Sequence, residues 1–232
     1  GIPENSMKAF EEAIKKGVAI ELDVRLSKDG RVVVFHDKTL KRMCGVDTPV
    51  SDFTYEQLSA FRLKDTDEKI PLLSQVLKLV NGRVPVVVEL KESVGVFDLE
   101  KRTYYLLKGY KGKYAVMSFN PISLWFFRVF APDITRGQLI SRFKNKKVRK
   151  YIERIICASP LVWKLISKPE FIACDLRCVS LETAFQAVDI GADFLTWTAN
   201  SKELIESAKQ FSKSVIFEGE ECPRTFDSER HP

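Results

Sequence analysis

The sequence predicts an α/β fold, a (β/α)8 TIM barrel occupying residues 1–232 as a single domain, and three observations predict it. Short β-rich runs alternate with segments of helical periodicity along nearly the whole chain, which argues for a parallel sheet covered by helices. Runs such as Val84-Pro85-Val86-Val87-Val88 are almost continuously apolar, the pattern of strands buried on both faces. No glycine-rich nucleotide fingerprint follows any strand, which removes one reason to prefer an open doubly wound sheet. The length of 232 residues fits one such unit, since these barrels run to about 250 residues.

The elements follow in order. Glu4 to Lys16 reads as a helix: Asn5 or Ser6 can accept an orphan N–H, Met7, Phe10, Ala13 and Ile14 share a face, and Gly17 ends it. The runs from Val18 to Leu26 and from Arg31 to Asp37 flank Asp29-Gly30, a hairpin signal. Lys38 to Asp52 reads as loop, and Thr54 to Phe61 and Leu72 to Val80 as helices. Strands are then expected at Val84–Leu90, Tyr114–Phe119, Ile134–Ile140, Phe171–Leu176, Asp193–Thr196 and Val215–Phe217. Helices are expected at Leu99–Leu107, Pro121–Phe130, Leu181–Ile190 and Ser201–Phe211. One segment breaks this rhythm. Between Ser141 and Pro169 the chain is too long for a barrel loop, and a helical insertion around residues 142–168 is expected. Its first helix would be amphipathic, with Lys144, Lys146, Lys147, Arg149, Lys150 and Arg154 set against Val148, Tyr151, Ile152, Ile155 and Ile156.

Composition narrows the function classes. With 45% hydrophobic and 29% charged residues, the chain is an ordinary globular sequence and not a disordered one. No run of 18 apolar residues exists in it, so no membrane-spanning helix is expected. The net charge of +6 suits an anionic substrate or surface. Nucleic-acid binding is not expected, because the basic residues concentrate in one insertion without interleaved aromatics. Five cysteines, an odd number with no CxxC pair, argue against a disulfide framework and for a reducing compartment. The expected location is the cytoplasm or the cytoplasmic face of a membrane.

The chemistry concentrates in a few positions. Glu21 and Asp23 are two residues apart in a strand, so both point to one face. They are either ordinary acids of a solvated edge or oxygen ligands for a hard divalent cation. His36 follows Val32-Val33-Val34-Phe35 on the return arm of the hairpin, where it falls opposite the Leu22–Asp23 region. It is either an edge histidine or a general acid or base beside the carboxylates. Glu89 closes an apolar strand with Lys91 two positions on, and barrel enzymes place reactive groups at strand C-termini.

Pro3-Glu4-Asn5-Ser6, the block Glu21-Leu22-Asp23 through Asp29-Gly30 to His36-Asp37, and Val88-Glu89-Leu90-Lys91 together resemble, in order, the motifs of the glycerophosphodiester phosphodiesterase family. Ser118-Phe119-Asn120 and Thr196-Trp197-Thr198-Ala199-Asn200 are similar to later landmarks of that family. The resemblance implies a TIM barrel that hydrolyses glycerophosphodiesters to an alcohol and glycerol 3-phosphate. It implies Glu21, Asp23 and Glu89 as ligands of one divalent cation, Mg²⁺ or Ca²⁺ with Mn²⁺ also admitted. It also implies His36 as one of two catalytic histidines, and Lys91 as a contact for the substrate phosphate. Glu4 belongs to a motif around the same pocket, and Trp197 is either a wall of it or a packing aromatic. The other catalytic histidine belongs to an H-R-G motif that would precede Gly1, together with a first barrel strand. The attacking oxygen is either water or the glycerol 2-hydroxyl.

Two rival readings share the fold. One is a lysophospholipase D acting on membrane-derived lysophospholipids, with peripheral membrane contact through residues 142–168. The other is a non-catalytic barrel, should the upstream histidine be absent.

Overall fold

The computed structural model describes residues 1–91, 95–141 and 159–219. They sort into two compact units, Gly1–Tyr114 and the residues from Ala115 onward.

The first unit opens with helix α1 (Met7–Lys16). Ser6 caps it, its hydroxyl accepting the Ala9 N–H at 3.2 Å, and Gly17 stops it in the left-handed conformation at φ +68°. That geometry is cheap for glycine and satisfies the final carbonyls. Strand β1 (Ile20–Leu26) pairs antiparallel with β2 (Val32–Val34), Val24 opposite Val34 and Leu26 opposite Val32. The Asp29-Gly30 turn does connect them, but it spans Ser27 to Arg31. Ser27 donates its hydroxyl to Asp29 at 2.6 Å, and Asp29 accepts the Tyr55 N–H at 2.9 Å, so the hairpin tip is pinned to the next helix.

Residues Lys38 to Asp52, expected as loop, carry a helical turn α2 (Lys41–Cys44) and a 3₁₀ turn at Val50–Asp52. Buried apolar anchors explain the difference. Leu40, Met43 and Val50 enter one cluster with Val33, Phe35 and Leu58, so the segment folds to bury them rather than running over the surface. Helix α3 (Tyr55–Leu58) follows with a reciprocal Thr54/Gln57 cap, then α4 (Leu73–Val80). Strand β3 (Val86–Leu90) runs parallel to β1, in the register Leu22 beside Val88 and Asp23 beside Glu89. Helix α5 (Asp98–Lys108) completes the unit's regular elements.

The second unit continues the alternation: β4 (Tyr114–Ser118), α6 (Pro121–Phe130), β5 (Thr135–Ile140). Pro121 stands at the first helical position, where its missing N–H costs nothing, and Asn120 caps α6 by accepting the Ile122 N–H at 3.0 Å. Next come α7 (Pro160–Val162), continued by a π-helical turn at Trp163–Ser167, and β6 (Phe171–Asp175). Helix α8 (Leu181–Asp189), β7 (Asp193–Ala199), α9 (Lys202–Lys209) and β8 (Ser214–Phe217) close the series. Strands β4 to β8 pair in sequence order, each parallel to the next. This alternation of parallel strands and helices is the (β/α)8 TIM-barrel class that the sequence predicts. Of the insertion expected around 142–168, residues 142–158 lie outside the described residues, and 160–167 are helical. Among the described residues no helix is long and apolar enough to cross a membrane.

Candidate active site

The site begins with strand register. Parallel pairing sets Asp23 beside Glu89, and the two-residue period places Glu21 and Lys91 on the same face of their respective chains. The carboxylates of Glu21, Asp23 and Glu89 each offer an oxygen within 4.8 Å of the others. Asp23 and Glu89 are buried. The Lys91 ammonium bridges them, 2.8 Å from Asp23 Oδ1 and 2.6 Å from Glu89 Oε1.

Asn5 fixes the middle of this cluster. It sits in the left-handed region at φ 55°, which asparagine tolerates better than most residues. From there its Nδ2 donates to Asp23 Oδ2 at 2.8 Å, and its Oδ1 accepts the Asp23 N–H at 3.2 Å. A hydrogen bond to a charged acceptor of this kind contributes about 1.5–3 kcal/mol. The residues just before α1 are thereby tied to the ligand strand.

His36 lies one residue past the hairpin pairing, which Phe35 extends by donating its N–H to the Asp23 carbonyl at 2.9 Å. The His36 carbonyl accepts from Arg25 Nε at 3.0 Å and Nη2 at 2.8 Å, so its backbone is clamped. Its Nδ1 meets Asp37 Oδ1 at 2.7 Å. A carboxylate can only accept, so Nδ1 is the donor and Nε2 is left as the exchangeable nitrogen. Asp37 is in turn gripped by Arg42, Nε to Oδ2 at 2.6 Å, and Arg42 forks onto Glu4 at 2.6 and 2.9 Å. Glu4 therefore reaches His36 through two side chains.

One lysine among three carboxylates leaves negative charge uncompensated, and the group electrostatics reflect this. Burial, reinforced by repulsion from Asp23 and Glu89, holds the Glu21 carboxyl well above the usual range. Burial likewise pushes Glu89 up to about 7 against the pull of Lys91. Asp23 goes the other way: burial would raise it, but Lys91, His36 and Asn5 together bring it below its ordinary value. Burial would lower the Lys91 ammonium, but the two carboxylates hold it above its ordinary value. Asp37 is lowered because Arg42 and His36 outweigh its burial. Three converging hard oxygen donors, two of them reluctant to ionise without a cation, fit a hard divalent ion such as Mg²⁺ or Ca²⁺.

A pH dependence follows from these directions. Glu21 and Glu89 are raised in the folded state, so their stabilising contribution is complete below the unfolded carboxyl pKa. It is lost as pH climbs through the folded value, about 7 for Glu89. The melting temperature of the EDTA-treated protein is therefore expected to fall as pH climbs from the unfolded carboxyl range through about 7, where Glu89 ionises, with Glu21 acting in the same direction. A divalent cation binds the ionised carboxylates, so the rise in melting temperature that it causes should be larger at the upper end of that window. Differential scanning fluorimetry across the window checks this; a cation effect that shrank with pH would contradict it.

The structure thus brings Glu21, Asp23, Glu89 and Lys91 together, and links Glu4 to His36 through Arg42 and Asp37. Trp197 belongs to the second unit, where its indole N–H donates to the Ala173 carbonyl at 2.9 Å and its ring meets Phe119 edge-on. Sequence reasoning missed Arg42 and the clamp role of Asn5. The available signal for Asn5 was its place in Pro3-Glu4-Asn5-Ser6; Arg42, in a stretch read as loop, offered none.

Parallel β/α architecture with a carboxylate cluster and a lysine at a strand's C-terminal end is the arrangement in which barrel enzymes place their reactive groups. Comparison with known proteins makes the family plain. Residues 1–216 match the glycerophosphoryl diester phosphodiesterase family, and the chain belongs to that family. It is 34% identical over 149 residues to a glycerophosphodiester phosphodiesterase of Caldanaerobacter subterraneus subsp. tengcongensis, a match that covers 60% of this chain and 61% of that one. It is also 34% identical over 133 residues to lysophospholipase D GDPD1 of Rattus norvegicus, covering 52% of this chain and 41% of that one. The chain thus spans about three fifths of the first relative's length and less of the second's. Among solved structures it shares its fold with an Oleispira antarctica phosphodiesterase in complex with the product sn-glycerol-3-phosphate. That match has a TM-score of 0.73 and 21% identity, and covers 93% of this chain and 87% of that one.

Proposed function

We propose that this chain is the catalytic part of a metal-dependent glycerophosphodiester phosphodiesterase, cutting a glycerophosphodiester to an alcohol and glycerol 3-phosphate. The observation that carries this reading is the convergence of Glu21, Asp23 and Glu89 within 4.8 Å, with Lys91 bridging two of them. Glu21, Asp23 and Glu89 would hold one Mg²⁺, Ca²⁺ or Mn²⁺. That ion, when bound, supplies charge neutralisation at the phosphoryl oxygens. Lys91, held beside Asp23 and Glu89, is the residue that would pair with a phosphoryl oxygen. His36 performs one of the two proton transfers from Nε2, with Asp37 fixing its tautomer through Nδ1. Asn5 keeps Asp23 oriented, and Glu4 acts through Arg42 on the same histidine.

The test is release of glycerol 3-phosphate from glycerophosphocholine by the full-length protein, followed by ³¹P NMR. EDTA should abolish it and added Mg²⁺, Ca²⁺ or Mn²⁺ should restore it. Release unaffected by EDTA would remove the metal from the reaction, and no release with any cation would remove the reaction itself.

A second reading, hydrolysis of lysophospholipids, is supported by the likeness to the Rattus norvegicus enzyme. The same assay with lysophosphatidylcholine separates the two. A reducing compartment on the cytoplasmic side is the location we propose, supported by five cysteines, an odd number with no CxxC pair.

A further inference from the structure

Asp175 ends β6, and the chain turns sharply behind it. Four residues of extended chain would carry Cys174 and Cys178 about 13 Å apart. The turn undoes that separation. The Cys178 N–H donates to the Asp175 carbonyl at 2.9 Å, which closes the turn 175–178. The Asp175 carboxylate braces it. It accepts the Arg177 N–H at 2.9 Å, Arg177 Nε at 2.9 and 3.0 Å, and the Ser141 hydroxyl at 2.6 Å. The Leu176 N–H donates to the Trp197 carbonyl at 2.7 Å, so β7 holds the turn as well.

This folding produces a pair of thiols. Cys174 Sγ and Cys178 Sγ lie 3.8 Å apart. Both donate to one carbonyl, that of Asp175, at 3.6 and 3.2 Å. A disulfide bond is about 2.05 Å long, so the sulfurs have only roughly a further 1.8 Å to close. Cys174 is fully buried, in one cluster with Trp163, Ile172 and Ala187, whereas Cys178 is half-buried. The Cys174 thiol is also held above its ordinary value, by its hydrogen bond with Cys178 and by burial. A buried cysteine alone is a packing residue. A second, more accessible thiol held against it by a braced turn supplies what thiol oxidation needs, one sulfur to react first and one to resolve.

We propose that Cys174 and Cys178 are a reversible thiol–disulfide site, oxidised by small-molecule disulfides of the glutathione class. Cys178, as thiolate, attacks one sulfur of the small disulfide, and the first glutathione leaves with the proton. Cys174 then attacks the Cys178 sulfur of the mixed disulfide, and the second glutathione leaves with the Cys174 proton. Two protein thiols are thereby oxidised to one disulfide, and one small disulfide is reduced to two thiols. The site stays a dithiol while the surrounding glutathione pool is reduced and closes when that pool is oxidised.

The test needs no turnover, so it stands or falls apart from hydrolysis. The folded full chain is exposed to excess glutathione disulfide, its remaining thiols are alkylated, and tryptic peptides are weighed by mass spectrometry. Arg177 stands between the two cysteines, so trypsin separates them and a bond between them appears as one cross-linked peptide pair. That pair is expected as the main product, and dithiothreitol should part it. Cys174→Ser is expected to keep glutathione on Cys178, since nothing resolves it. Cys178→Ser is expected to leave Cys174 unmodified in the folded chain. Both thiols still reduced in the unaltered chain, glutathione retained there on Cys178, or a cross-link from either residue to another cysteine would overturn the proposal. So would a pair that forms only in denaturant.

Discussion

His36→Ala is expected to lower kcat for glycerophosphodiester hydrolysis by about 10²–10⁴-fold, the range that a positioned general acid or base contributes. The fold should be indifferent to the change. The His36 side chain is about half exposed, and its side-chain ion-pair partner is Asp37. An exposed pair of this kind is worth about 0–1 kcal/mol. The melting curve should thus stay close to that of the unaltered protein while turnover collapses. Steady-state kinetics beside a thermal melt checks both halves. Turnover at the original rate would remove His36 from the proton transfers, and a large loss of stability would make the kinetic effect uninterpretable as chemistry. A smaller loss is expected for Asp37→Asn. It keeps a partner at Nδ1 but loses the charge that both stabilises a protonated imidazole and holds Arg42.

Glu21→Gln is expected to separate activity from stability in opposite directions. Its carboxyl is held well above the usual range by burial and by Asp23 and Glu89, so ionising it in the folded, metal-free protein is costly. Glutamine removes that cost while keeping the shape. The EDTA-treated variant should therefore melt higher than the unaltered protein, and the gap should widen as pH rises. Metal-dependent turnover should nevertheless fall by more than the 10–100-fold typical of losing an outer partner of a metal ligand. A site built for function rather than stability behaves this way. If Glu21 were instead an ordinary surface acid, both quantities would stay within experimental scatter.

How much of this was legible beforehand depends on the range of the interaction. Period-two spacing alone put Glu21 and Asp23 on one face, and the Asp29-Gly30 signal alone turned the chain back toward them. The step from there to Glu89 needed the parallel register of β1 and β3, which no local pattern states; family resemblance supplied it. Arg42 lay beyond both, because its role depends on a helical turn nucleated by Leu40 and Met43 finding a buried cluster with Val33 and Leu58. Polar Lys38 to Asp52 looks like loop until those anchors are known to be covered. Asn5 was visible as a helix-capping candidate, and Ser6 took that role. This left Asn5 free to take a left-handed backbone and reach across to Asp23. Strand and helix existence, by contrast, was carried by long apolar periodicities, which explains why Pro121–Phe130 emerged with the boundaries expected of it.

The central claim is that Glu21, Asp23 and Glu89 together hold the one cation the reaction uses. Titration of the metal-free protein with Mn²⁺, following free ion by electron paramagnetic resonance, tests it most directly because it needs no substrate. One tight site per chain is expected, displaced by Mg²⁺ or Ca²⁺, and lost in the double variant Glu21→Gln, Glu89→Gln. Undiminished Mn²⁺ binding in that variant would place the cation elsewhere and contradict the account.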